Sequence, residues 1–259
     1  MEQLALVTGA SSGIGRAFAQ RLAADGVDLV VVARRADRLA ELAASVDVDV
    51  QVVEADLATD TGIDEVAAVC EARPLTMLVN NAGVAHYKPL AELPPAQARE
   101  LVTVKTLAPT LLTRAALPGM LERGGGTIVN VAGMLAFSGT APAAGPGAQR
   151  AVYVGTLAAA VASSQTLDAE LAGTGVRVHV VCPGIVATEF HEVQGMDLSF
   201  LPRMSPDDVV TAALAGIALG ETVIAPGVHD ASLLEAAGAA ALAAFDGQSP
   251  ELAPRYRSA

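Results

Sequence analysis

Residues 4–15 read Leu-Ala-Leu-Val-Thr-Gly-Ala-Ser-Ser-Gly-Ile-Gly, and no other stretch limits the possible folds of this chain as strongly. An apolar run of strand length ends at Gly9 and an alanine-rich helical pattern begins at Ile14, which predicts strand, glycine turn and helix in that order. Glycines at positions 9, 13 and 15 let the backbone turn tightly and let a ligand approach it closely. The free N–H groups and positive dipole end of the following helix suit a pyrophosphate. Glycine spacing alone is a common pattern. Its place between a strand and a helix at the head of an α/β alternation is the context that makes it a dinucleotide signal.

That alternation runs through most of the 259 residues. Strands are expected at 27–33, 48–54, 77–79, 127–131, 176–181 and 222–225, after the first at 4–8. Helices are expected at 14–24, 37–45, 63–72, 95–104, 107–121, 151–171 and 207–219. Continuous apolar strands such as 27–33 are those of a parallel sheet covered on both faces. The consistent solution is an α/β, doubly wound parallel sheet of about seven strands with helices on both faces. One domain over 1–259 is expected, with a substrate loop near 186–205 and a tail near 228–259.

Composition narrows the function. Apolar residues make up 52% but aromatics only 3%, so the core is built from Ala, Val and Leu and is fine-grained. A net charge of −12 argues against a nucleic-acid surface. Cys70 and Cys182 fall in a helix and a strand, which predicts no disulfide framework and a reducing compartment. With Glu2 and no basic leading stretch, no signal peptide is expected; the uncharged runs 124–149 and 151–167 are too polar for a membrane span, so a cytoplasmic protein is expected. The histidines, cysteines and carboxylates show no metal-ligand spacing.

The candidate functional residues all fall at carboxyl ends of strands, where an open α/β sheet binds its ligand. After the second strand come Arg34 and Arg35, where an acidic residue would accept bonds from an adenosine ribose; the arginine fork suits a 2′-phosphate instead, so NADP(H) is expected over NAD. Asn80-Asn81-Ala82-Gly83 ends the fourth strand with small residues that let a flat ribose or ring approach.

Thr8 to Gly15, Asn80-Asn81-Ala82-Gly83, Tyr153 on a long helix, and Cys182-Pro183-Gly184 with Thr188 together resemble the short-chain dehydrogenase/reductase family over about residues 3–225. The resemblance implies a Rossmann-type seven-stranded sheet, a nicotinamide cofactor, hydride transfer at a carbonyl, and a homodimer or homotetramer joined through the two long helices. It implies cofactor contacts from Gly9, Ser11, Ser12, Gly13, Ile14 and Gly15, from Arg34 and Arg35, and from Asn80, Ala82, Gly83 and Tyr153. Asp56 and Leu57 would flank the adenine; Pro183, Gly184 and Thr188 would lie at the nicotinamide, with Thr188 holding its carboxamide.

The catalytic positions depart from that family. Its Tyr and Lys sit four apart on one helix face, the ammonium lowering the phenol's pKa; here Leu157 stands four after Tyr153. Its carbonyl-polarising serine is expected three residues after Asn130, where this chain has Gly133, and its Asn on the earlier helix aligns with Lys105. Tyr153 could still donate a proton, since an ordinary tyrosine with a pKa of about 10 is protonated at neutral pH. Lys105 is either a substitute cation reaching the same pocket or a lysine snorkelling from a helix surface. Ser138 or Thr140 could stand in for the serine, and 140–147 is expected to wall the pocket. His86 and Tyr87 are expected at the substrate mouth and His191 in the closing segment, with His179 packed in a strand and His229 near the tail. The apolar stretches 134–137 and 190–200 predict a fairly apolar small-molecule carbonyl. The leading reading is an NADPH-dependent reductase using Tyr153 and Lys105; a non-redox cyclase or isomerase and a catalytically silent NADP-binding protein are the alternatives.

Overall fold

The computed structural model describes residues 3–141 and 149–257; much of the expected pocket wall, 142–148, lies outside the described residues. Seven strands, β1 (Leu4–Thr8), β2 (Asp28–Ala33), β3 (Val50–Glu54), β4 (Met77–Asn80), β5 (Gly126–Val131), β6 (Val176–Val181) and β7 (Val223–Ile224), form one sheet in the order β3-β2-β1-β4-β5-β6-β7. Every pairing is parallel. From β1 the chain walks outward to β3, then returns to lay β4 on the other side of β1. That reversal opens a crevice at the carboxyl ends of β1 and β4.

Burial on both faces explains the unbroken apolar strands. Leu4 and Leu6 of β1 join a layer with Ile63, Leu112 and Met120, while Ala5 and Val7 join the opposite layer with Phe18, Leu22 and Val209. Residues of both phases are apolar because neither face meets water. Helices α1 (Gly13–Ala24), α2 (Ala36–Ala44) and α3 (Asp60–Ala72) connect the first four strands. The last starts ahead of its apolar periodicity because Thr59 caps it, its hydroxyl accepting the Gly62 N–H at 3.1 Å.

The two helices expected at 95–104 and 107–121 are one continuous run. Helix α4 (Pro95–Val102) passes through a π turn, Thr103–Leu107, into α5 (Ala108–Glu122). Pro109 has no N–H to give the carbonyl of Lys105 four residues back. The Ala108 N–H reaches the Thr103 carbonyl instead, so the turn widens by a residue. Helix α6 (Ala151–Glu170) precedes β6, and α7 (Phe190–Val193) and α8 (Pro206–Leu219) lie between β6 and β7.

The chain divides into two compact units, Met1–Pro226 and Gly227–Ala259. The second contains α9 (Ser232–Asp246), opened by the Asp230 carboxylate, which accepts from the Ser232 N–H at 3.1 Å and hydroxyl at 2.6 Å. A short 3-10 turn, Pro254–Tyr256, follows. Its alanines, read from sequence only as an Ala-rich tail, are the best helix formers. Among the described residues no helix is long and apolar enough to cross a membrane. Cys70 and Cys182 are buried free thiols, pushed up to about 12 and about 11 by desolvation.

Candidate active site

A cavity of about 680 Å³ lies over the carboxyl ends of the strands, and almost every residue expected to touch a cofactor lines it. The glycine turn forms its floor. Gly9 and Gly13 take positive φ of 69° and 54°, a region that side chains disfavour. Helix α1 starts there with no side-chain cap from Ser12 and no acid in its first turn, so its leading N–H groups face the cavity end unneutralised. Gly15 is expected at the cofactor but does not line the cavity. It is there for packing: a Cβ on it would come within 2.4 Å of both the Gly9 carbonyl oxygen and Asn81 Nδ2. This is a cradle that fits a pyrophosphate.

β1 and β4 are locked beside it. The Thr8 hydroxyl accepts the N–H groups of Asn81 and Ala82, both at 3.0 Å, and Asn81 Nδ2 donates to the Thr8 carbonyl at 3.0 Å. The cavity therefore receives Asn81, Ala82 and Gly83. Asn80, expected at the cofactor, is a correction. It is buried and turned into the fold, where its amide donates to Asn130 Oδ1 at 2.9 Å and Thr113 Oγ1 at 3.2 Å, while Asn130 donates to Ser164 at 2.9 Å. This relay ties β4, β5, α5 and α6 together behind the site.

At the far end of the cavity Arg34 is exposed and Arg35 is half-buried. The Arg35 guanidinium donates to the hydroxyls of Ser11 at 3.0 Å and Ser12 at 2.9 Å, so these expected residues converge. Two unforeseen residues join them: Glu189 pairs with Arg35 at 2.5 Å and with Arg38 at 2.7 Å. Burial opposes ionisation of Glu189, but bonds from Arg35, Arg38 and Ser12 outweigh it and bring its carboxyl down to about 2. Asp56 and Leu57 line the same end, and the Asp56 carboxylate accepts the Ala58 N–H at 3.0 Å.

The other end carries the residues expected to be catalytic. Tyr153 is buried, and Lys105 Nζ stands 5.7 Å from the centroid of its ring, the cation resting on the aromatic face. The π turn carries this lysine inward, against Gly83, where a Cβ would meet Nζ at 2.8 Å. Desolvation lowers Lys105 from 10.5 to about 8. Tyr87 meets Tyr153 edge to face, ring centroids 5.2 Å apart. Burial, then the charge and hydroxyl of Tyr87, hold the Tyr153 phenol well above its ordinary range. It is a proton donor in its resting form. Tyr87 is itself raised by burial.

Gly133 and Leu157 sit together, Leu157 Cδ1 3.6 Å from where a Cβ on Gly133 would lie. Apolar surface therefore occupies the place where the resemblance implies a serine and a lysine. Ser138 does not replace the serine: its hydroxyl donates to the Leu135 carbonyl at 2.8 Å, finishing the short turn Met134–Phe137. Thr140 is exposed and outside the cavity. Of the histidines, His191 lines the cavity and stacks on Tyr87 at 6.5 Å, while His86 is drawn 2.8 Å from Glu100 and does not line it. His179 is buried, its Nδ1 2.7 Å from the Glu221 carbonyl. The substrate end is walled by Met134, Leu135, Phe190, Val193, Met196 and Leu198, all apolar; Phe137 and Phe200 point to solvent. Pro183, Gly184 and Thr188 line the cavity beside them. No group of three or more His, Cys, Asp or Glu placed to hold a metal occurs among the described residues.

Comparison with known proteins agrees with this fold. The family model described as short chain dehydrogenase matches residues 3–198. The chain belongs to that family. A short-chain dehydrogenase from Sphingobium yanoikuyae, solved in complex with NADPH, is 32% identical, with TM-score 0.91 over 98% of this chain and 100% of that one. The bulky-bulky ketone specific alcohol dehydrogenase from Comamonas testosteroni is 29% identical, with TM-score 0.86 over 98% of both chains. An uncharacterised oxidoreductase of Staphylococcus epidermidis is 32% identical over 215 residues, 82% of this chain and 90% of its own. Leu157 and Gly133 stand at two positions where the resemblance implies catalytic polar groups, and Tyr153, Tyr87 and Lys105 are among the polar side chains that line the cavity.

Proposed function

We propose that the protein is an NADPH-dependent reductase of ketones with bulky, largely apolar substituents. The observation that carries this reading is the Tyr153 phenol, held protonated beside Lys105 in an apolar-walled cavity that continues into the glycine cradle. The glycine turn would hold the pyrophosphate, Ser11, Ser12, Arg35 and Arg38 the 2′-phosphate, and Thr188 the carboxamide. The bound nicotinamide would supply the hydride. Tyr153 delivers a proton to the carbonyl oxygen and Tyr87, packed edge to face against it, supplies a second hydroxyl where Gly133 offers none. Lys105 stabilises the phenolate left behind; being lowered only to about 8, it is mainly an ammonium at pH 7. The NADPH-bound neighbour and the bulky-ketone neighbour, each known by its own description, support the cofactor and the substrate class.

The replacement of serine and lysine by Gly133 and Leu157 favours one second reading, an SDR-fold protein that binds NADP(H) without ordinary dehydrogenation. One experiment separates them. NADPH consumption is followed with a panel of aryl and branched ketones for wild type and Tyr153→Phe. The reductase reading expects turnover that the variant loses by about 10²-fold or more while still binding NADPH; binding without turnover on any ketone refutes it. The same reading places the protein in a cytoplasm, in keeping with its two free thiols. It also assembles copies through α4–α5 and α6, where Val102, Leu107 and Leu121 are exposed; light scattering at monomer mass would contradict that assembly.

A further inference from the structure

The donors gathered at the start of α2 already hold an anion, and it comes from the chain itself. Glu189 lies 151 residues beyond Arg38, yet its two oxygens divide between the guanidinium groups of Arg35 and Arg38, and the Ser12 hydroxyl helps hold its carboxyl low. Its neighbour Thr188 rests on the glycine turn, with Cγ2 3.0 Å from where a Cβ on Gly13 would lie. Two guanidinium groups and two serine hydroxyls on one spot are the equipment of a phosphate-ester site. A single carboxylate now uses most of it, and the segment that carries that carboxylate continues directly into Phe190, His191 and Val193 of the substrate wall.

We propose that Glu189 is an internal competitor for the 2′-phosphate subsite and thereby a determinant of cofactor specificity. A phosphorylated adenosine ribose takes Arg35 and Arg38 only as Glu189 leaves them, so entry of NADPH and opening of the Glu189 clasp are one event. NADH, without that phosphate, leaves the clasp closed. The substrate wall is then reset by the phosphorylated cofactor alone. The inference rests on the dinucleotide reading above and deepens it. Its size follows from population: when the clasp is closed in most molecules, apparent affinity for NADPH is the intrinsic affinity scaled by the open fraction. The ion pairs are partly exposed, with side-chain exposures of 38%, 38% and 29%, so the clasp can open without unfolding its surroundings.

The test is fluorescence titration of wild type and Glu189→Gln with NADPH and with NADH. The amide keeps the side chain's shape and loses its charge. The expected result is NADPH binding tightened by about tenfold or more and NADH binding changed by less than about twofold, with a modestly lowered melting temperature, since the depressed carboxyl stabilises the folded protein at neutral pH. Deuterium exchange of wild type supplies a second readout: residues 189–196 exchange faster when NADPH saturates the protein and not when NADH does. Equal tightening toward both nucleotides, weakened binding of both, or no change in either overturns the proposal, as does exchange insensitive to NADPH. Wild type that binds NADPH beside a Glu189→Gln that binds it no better removes the Glu189 proposal alone. Wild type that binds neither nucleotide removes the dinucleotide reading as well.

Discussion

Replacing Lys105 with Met should make the protein more stable and less active, and the two effects should separate with pH. Lowering this lysine from 10.5 to about 8 means that folding opposes its charge. At about 1.36 kcal/mol for each tenfold in proton affinity, the cost has a ceiling of about 3.4 kcal/mol. Residual contact with solvent and the ring of Tyr153 offset part of it, leaving about 1–2 kcal/mol for Lys105→Met to recover at pH 7. For a unit of this size that is a rise in Tm of about 2–8 °C. The sign of the pH dependence is set by the depressed basicity. Between about pH 8 and 10.5 the unfolded chain still binds a proton that the folded protein has released. The wild type therefore gains stability as pH rises through that window, and the gap to the variant closes. Thermal melts of both proteins at pH 7 and pH 10, at matched ionic strength, measure it, and NADPH-coupled ketone reduction at pH 7 should fall by about tenfold or more, the loss of about 1.4 kcal/mol of charge stabilisation. A variant less stable at pH 7, or a gap that does not change with pH, would refute the placement of a desolvated ammonium beside Tyr153.

Two further predictions concern the same cavity. Tyr87→Phe removes a charge and a hydroxyl that both hold the Tyr153 phenol up, so the alkaline limb of the pH–rate profile for ketone reduction should move to lower pH; an unmoved limb would detach Tyr87 from the proton donor. Gly15→Ala places a methyl 2.4 Å from a backbone oxygen and should destabilise the fold by about 1–3 kcal/mol while weakening both nucleotides alike, read by denaturant melts and titration; a variant of wild-type stability would contradict the close packing of α1 on β1.

The sheet was legible in the sequence because its strands are short apolar blocks punctuated by Gly and Asp, and because a strand buried on both faces leaves no alternation to misread. The cofactor floor was legible for the same reason: the glycines stand where a strand must turn into a helix. Asn80 was misassigned, although a signal existed. Side chains alternate along a strand, Leu78 belongs to the layer under α5, and Asn80 shares its phase, which leaves Asn81 to face the cavity. The break expected at 105–106 is instead a π turn, because Pro109 withholds an N–H and widens the helix there without ending it. Glu189 had no local signal, since its partners are set by a fold that brings distant loops to one sheet edge. Lys105 was found only through its alignment with a family position, and the contact that gives it meaning, the face of Tyr153, is tertiary.

The wide turn at Thr103–Leu107 holds one residue more than an α-helical path between the same anchors would need. Each residue of a helix advances its facing by about 100°, so excising a single codon there would swing the stretch ahead of it by that angle and take the ammonium off the tyrosine. The register of that turn thus decides whether a cation on a neighbouring helix reaches the pocket. Protein chemistry of this kind can drift by indel as well as by substitution, with the sheet beneath it left untouched.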